Sequence, residues 1–258
     1  MNAHKQTASP GWGLAIATVF AIIGTLIVNT LSNIIPPGGQ NVGEIANTVL
    51  AGVLITPANY AFAIWGLIYL GLIAYSIYQF GPSQRQNPII QRVNQLLIVA
   101  CVAQMIWIFL FTLQYFALSI LAMLVILLPL MGAYLTLRTG QQPANRQRRW
   151  LAQYPFSIYL AWIAVATVVN VASALYANDW NGWGLTGTAW TVAMIFVSAA
   201  IAAIVAVNRK DLPFVLVFVW AYGAIAARHA DVALIWGSAV IAAIGLLGLL
   251  GIRYLQKS

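Results

Sequence analysis

Eight runs of mostly apolar residues, each of about twenty, leave this chain few folds to choose from. They lie near 12–34, 59–80, 93–115, 117–137, 154–177, 188–208, 212–228 and 232–255. A helix needs about 20 such residues to cross the hydrocarbon core of a bilayer. Of the 258 residues, 62% are hydrophobic and 6% charged, whereas a soluble domain carries about 25% charged residues. Lipid offers no hydrogen bonds, so each run must pair its own backbone groups, which a helix does and a lone strand does not. The expected fold is therefore all-α, a polytopic transmembrane bundle of about eight helices.

The charges test that count. With the two sides of the membrane taken alternately, one side receives Lys5, Arg85, Arg92, Arg138, Arg146, Arg148, Arg149, Arg209, Lys210, Arg253 and Lys257. Arg228 alone falls on the other. Basic residues concentrate on the cytoplasmic side of membrane proteins, so both termini are expected there, in a bacterial inner or a photosynthetic membrane. The net charge of +8 then reads as a topology signal. No long polar segment offers a surface for nucleic acid. The run from Leu14 to Leu31 is longer than the apolar stretch of a signal peptide, and "SNIIPPGG" after it lacks a small-residue cleavage site, so a retained first helix is expected. The stretch 35–58 is too apolar to float in water. It reads either as a lid folded back over the bundle mouth or as an interfacial helix.

Three helices carry aromatic stripes at helical spacing. The second presents Phe62, Trp65 and Tyr69; the third Gln104, Trp107, Phe111 and Gln114; the fifth Pro155, Tyr159, Trp162, Ala166 and Asn170. An unpaired amide in hydrocarbon costs several kcal/mol, so Gln104 and Asn170 must face protein, water or a ligand. Headgroup belts account for Tyr60, Trp150, Trp180 and Trp183 near helix ends. They account less well for Trp65, Trp107 and Trp162, which sit deeper. Two readings remain for these: helix packing, with amides bonded between helices, or the wall of a ligand pocket.

"YPFSIYLAWIAVATVVN" resembles the fifth-helix signature of the TspO/MBR family, the tryptophan-rich sensory proteins. The match falls on Pro155, Tyr159, Trp162, Ala166, Thr167 and Asn170. "ITPANYAFAIWGLIY" is similar to the family's second helix at Pro57, Phe62, Trp65 and Tyr69, with Ile64 in place of a valine. "QMIWIFLF" is similar to the third at Trp107 and Phe111. The three occur in family order across residues 50–176. The chain departs in "LITPAN", where the family usually has Trp-x-Pro-Pro, and in continuing for three helices past the fifth. The resemblance implies a TspO-like five-helix membrane domain over 1–180, followed by a three-helix extension over 181–258. It also implies a pocket for a planar apolar ligand, a porphyrin or other tetrapyrrole, under the first loop. Trp65 and Trp162 would stack on the ligand; Gln104 and Asn170 would orient it. Phe62, Tyr69, Trp107, Phe111, Tyr159 and Ala166 would complete the wall.

The four acidic residues, Glu44, Asp179, Asp211 and Asp231, lie between the apolar runs. Ion-coupled carriers usually need an acid within the membrane, so that class is disfavoured. No lysine lies in a span, which excludes a retinal Schiff base. His4 and His229 are too few for a metal site or a catalytic triad, and His229 reads as a solvated turn residue, the alternative being contact with a haem-like ligand from the outward side. Cys101 reads as a small buried filler. A receptor or sensor is the leading expectation, with porphyrin turnover as a family-linked possibility. The alternatives are an accessory pigment- or lipid-binding subunit of a larger membrane complex and a passive carrier of a lipophilic solute. The partners expected are the bilayer, a lipophilic small molecule, and a second copy or a larger complex.

Overall fold

The structure, a computed structural model, describes residues 11–255. Lys5, Lys257 and His4 lie outside that range. The described residues form helices joined by turns and irregular segments, with no strand. α1 runs Trp12–Ile34, followed by the short α2 at Val42–Asn47. A 3₁₀ turn at Asn59–Ala63 leads into α3 at Ile64–Gln79. The short α4 at Pro82–Arg85 precedes α5 at Pro88–Thr112, and α6 spans Phe116–Thr136. A first turn, α7 at Arg146–Arg148, and a π turn at Arg149–Gln153 run on into α8 at Tyr154–Ala177. Then come α9 at Gly187–Arg209, α10 at Leu212–Arg228 and α11 at Ala233–Leu255.

Local chemistry sets the ends. The Asn87 side chain accepts from the Ile89 N–H, and Pro88 follows at the first helical position, so α5 begins at 88 rather than near 93. It stops at Thr112 because Gln114 turns left-handed, at φ 62°. Asp211 caps α10 through the Phe214 N–H at 3.2 Å.

Among the described residues, seven helices are long and apolar enough to cross a membrane. The eighth apolar helix, α10, has 17 residues, about 26 Å at about 1.5 Å per residue. Its ends are charged, and each charge is tied to protein. The outer faces are apolar, with Phe20 and Ile77 about 70% exposed (70% and 71%), while Thr25, Gln79, Asn94, Gln104, Ser119 and Asn170 are turned inward. Apolar outside and polar inside is the pattern of a chain dissolved in lipid, where small and polar residues join helices. The chain is an integral membrane protein.

Five helices close a ring. α1 packs on α5, α5 on α6, α6 on α8, α8 on α3, and α3 back on α1. α10 leans on α8, with α9 and α11 packed behind it. At one end of the bundle, Asp211 joins three helices. Its carboxylate accepts from Tyr134 of α6 at 2.8 Å and from Ser157 of α8 at 2.6 Å. Burial holds this carboxyl above the ordinary aspartate range, although those donors and Arg209 pull it down. The same end gathers basic residues: Arg209 bonds the Thr139 carbonyl and Arg148 the Leu137 carbonyl.

At the other end, residues 35–58 fold back over the ring. Gly38 passes so close to the Thr112 carbonyl that a Cβ would collide with it, which is what the Pro-Pro-Gly-Gly break provides. α2 is fixed by reciprocal bonds: the Asn41 N–H to Glu44 Oε2 at 2.7 Å and the Glu44 N–H to Asn41 Oδ1 at 3.0 Å. Ile45, Leu50, Val53 and Ile55 are buried beneath it, each worth about 1.5–3 kcal/mol of transfer from water. This segment is a folded cover that carries the short helix α2.

Candidate functional site

Under the cover lies a cavity of about 940 Å³, within the range of about 300–1,000 Å³ usual for small-molecule sites. α3 contributes Trp65 with Phe62 of its 3₁₀ turn, α5 contributes Gln104 and Trp107, and α8 contributes Trp162 and Ala166. Helical spacing explains the convergence, since each set shares one face and the three faces meet inside the ring. The aromatic rings brace one another. Phe62 meets Trp162 edge-on at 6.1 Å between centroids, and Trp65 lies against Tyr69 at 5.5 Å.

Gln104 is the unusual member. It is fully buried, at 0% exposure, and neither its Nε2 nor its Oε1 has a hydrogen-bond partner. A buried amide left unpaired costs about 1–3 kcal/mol for each lost partner. Here it forms part of the cavity wall.

Not every stripe residue serves the wall. Tyr69 and Tyr159 do not line this cavity; both pack around Trp65, with their hydroxyls buried and unpartnered. Phe111 and Asn170 line a smaller pocket of about 50 Å³ that shares Phe62, Trp107 and Trp162 with the larger one. Asn170 is the clearest departure from a ligand-orienting role. Its Oδ1 accepts from Trp107 Nε1 at 2.7 Å, and its Nδ2 donates to Ser119 Oγ at 3.0 Å. It ties α8 to α5 and α6, and so holds one wall indole in place. Gln114 falls outside the stripe altogether, exposed in the turn after α5. Some stripe residues therefore line the cavity and others serve packing between helices.

The mouth was not legible from the stripes. Asn29, Ser32 and Asn33 of α1 line it, with Gln40, Asn41, Glu44, Asn47 and Thr48 of the cover and Asn59. The signal available was Asn29 and Asn33, two amides four residues apart in a spanning helix. The cover residues carry no periodicity that would have marked them.

The extension holds the cover down. Arg228 at the end of α10 donates to Asn47 Oδ1 at 3.0 Å, to the Ala46 carbonyl at 3.3 Å and to the Pro57 carbonyl at 3.4 Å. Trp220 Nε1 donates to the Ala61 carbonyl at 3.1 Å, and the Ala58 N–H to the Ala224 carbonyl at 3.1 Å. His229 is not the solvated residue expected: it is 8% exposed, because the cover packs across it. Burial, and then the neighbouring Arg228 charge, push its pKa below the ordinary histidine value, so it is neutral at neutral pH.

No curated protein and no solved structure matches the chain. A family profile described as TSPO-like protein matches residues 15–252, which takes in the last three helices as well as the five of the ring. With the five-helix ring, the cover and nearly the whole length matched, the chain belongs to the TSPO-like protein family.

Proposed function

We propose that this chain is a membrane receptor or sensor that binds a planar, largely apolar ligand, a tetrapyrrole, in the cavity beneath residues 35–58. The observation that carries the reading is Gln104, a buried amide with both polar atoms unpartnered in the wall of a cavity flanked by indoles. In this reading Trp65 and Trp162 stack on a ring system, and Gln104, whose amide is covered in this structure, turns one donor and one acceptor toward it. Asn170 acts one step back, by fixing the Trp107 indole. Both termini lie on the cytoplasmic side in this reading, and the cover faces the opposite compartment.

The test is a tryptophan-quenching and absorption titration of the purified full-length protein with a panel of porphyrins. Stacking and burial are worth about 1–3 kcal/mol per ring, so Trp65→Phe and Trp162→Phe should each weaken binding by up to about tenfold. Unchanged affinity in both variants would remove the indoles from the site.

A second reading is an accessory subunit that holds lipid or pigment within a larger membrane complex. It draws on a groove of about 690 Å³ between α8 and α9, walled by Trp180, Trp183 and Trp190. A stoichiometric protein partner in mild detergent would favour it.

A further inference from the structure

The charge around the cavity is one-sided. Among the described residues that line it there is no Lys, Arg or His, and the single ionisable side chain is Glu44. The remaining polar lining of the mouth is neutral, made of Asn and Gln amides from α1, the cover and Asn59, with Ser32 and Thr48. Asn29, Ser32 and Asn33 sit in the last turns of α1, where unpaired carbonyls carry partial negative charge. Arg228 comes near, through Asn47, but does not line the cavity, and its guanidinium is engaged by three acceptors of the cover. Deeper in, the wall is indole, phenyl and the unpartnered Gln104 amide. A carboxylate drawn in among the indoles would lose water with no cation to replace the loss, and one left at the exposed mouth would meet the like charge of Glu44. That is a poor fit for a tetrapyrrole carrying free carboxyl groups. It is a good fit for one without them.

We propose that the cavity selects against negative charge, so that its ligand is an amphiphile with no ionised acid, and a tetrapyrrole there has its side-chain carboxyls esterified. Glu44 sets this preference at the mouth, while Gln104 supplies the hydrogen bonds that a neutral polar group can use. The inference rests on the binding reading above and narrows it to a ligand class.

The experiment compares two probes on the full chain in zwitterionic nanodiscs: a dicarboxylic porphyrin and its dimethyl ester, with empty discs subtracted for partition. The ester should bind more tightly than the acid by about tenfold or more. Glu44→Gln keeps the capping bond to the Asn41 N–H, since Gln serves that position as well as Glu, and should narrow the ratio. Glu44→Lys should narrow it further or invert it. Equal affinities, or a tighter acid, would overturn the selectivity and leave the binding reading intact. An ester preference that Glu44→Lys leaves unchanged would also overturn it, because partition rather than the mouth would then set the ratio. Failure of both probes to bind would overturn the selectivity together with the binding reading.

Discussion

Replacing Asn170 by leucine should cost this protein stability more than ligand affinity. The side chain is 2% exposed and bridges Trp107 Nε1 at 2.7 Å and Ser119 Oγ at 3.0 Å. Ser119 has another partner, since its hydroxyl donates to the Phe116 carbonyl at 2.7 Å, so it is not stranded. The Trp107 indole N–H is stranded, and leaving such a donor buried costs about 1–3 kcal/mol. Losing the interhelical bond to Ser119 adds about 0.6 kcal/mol, the average for such bonds in membranes. The expected total is about 2–4 kcal/mol. The assay is a thermal or denaturant unfolding series in detergent, run as a double-mutant cycle with Trp107→Phe, which removes the same donor. The two changes should be non-additive by about 1–2 kcal/mol. An Asn170→Leu protein of unchanged stability that binds a porphyrin more than about tenfold more weakly would refute the reasoning and return the amide to the ligand.

Three other outcomes follow from the geometry. Asp211 has a carboxyl pKa raised by burial, so its contribution to stability is fully present below the unfolded aspartate value of about 4 and is lost as pH rises through the raised folded value; melting temperature should fall over that window in the native chain, and Asp211→Asn, an equally good cap, should flatten the fall. Parallel pH curves for the two proteins would contradict this. Arg228→Ala removes three bonds from the cover, and a loss of about 1 kcal/mol should speed proteolysis within 48–57 by about fivefold, whereas an unaltered rate would mean that the extension does not hold the cover. A cysteine placed at Gln142, with Cys101 replaced first, should resist membrane-impermeant labelling from outside intact cells; ready labelling would reverse the proposed orientation.

Much of the fold was legible because lipid enforces a simple rule. Twenty apolar residues and a charge break define a span, and the structure moves the expected ends by a few residues at most positions. The largest shift is in the fifth span, where helix runs back from 154 through a π turn to Arg146; the next, at Pro88, came from an Asn-Pro cap that hydropathy does not weigh. The stripes were legible for the same reason, as helical spacing puts Phe62 with Trp65 and Gln104 with Trp107 on shared faces. Spacing cannot say which members of a stripe reach open space. Tyr69 and Tyr159 have the period of a wall and the contacts of a core. Asn170 has the chemistry of a ligand contact, yet two partners already occupy it. The mouth and the Arg228 contacts were illegible because they depend on a loop crossing the bundle. No local pattern joins Arg228 to Ala46, which lies 182 residues away in the chain.

The central claim is that a ligand seats in the space enclosed by α3, α5 and α8, and Ala166 is the place to test it. This residue lines the cavity on α8, so Ala166→Phe should place a ring in open space. The measurement is porphyrin affinity by tryptophan quenching, with melting temperature recorded on the same samples. The account predicts that affinity falls by more than about tenfold while melting temperature holds or rises, as expected when a void is filled without strain. Native affinity in a well-folded Ala166→Phe protein would contradict it.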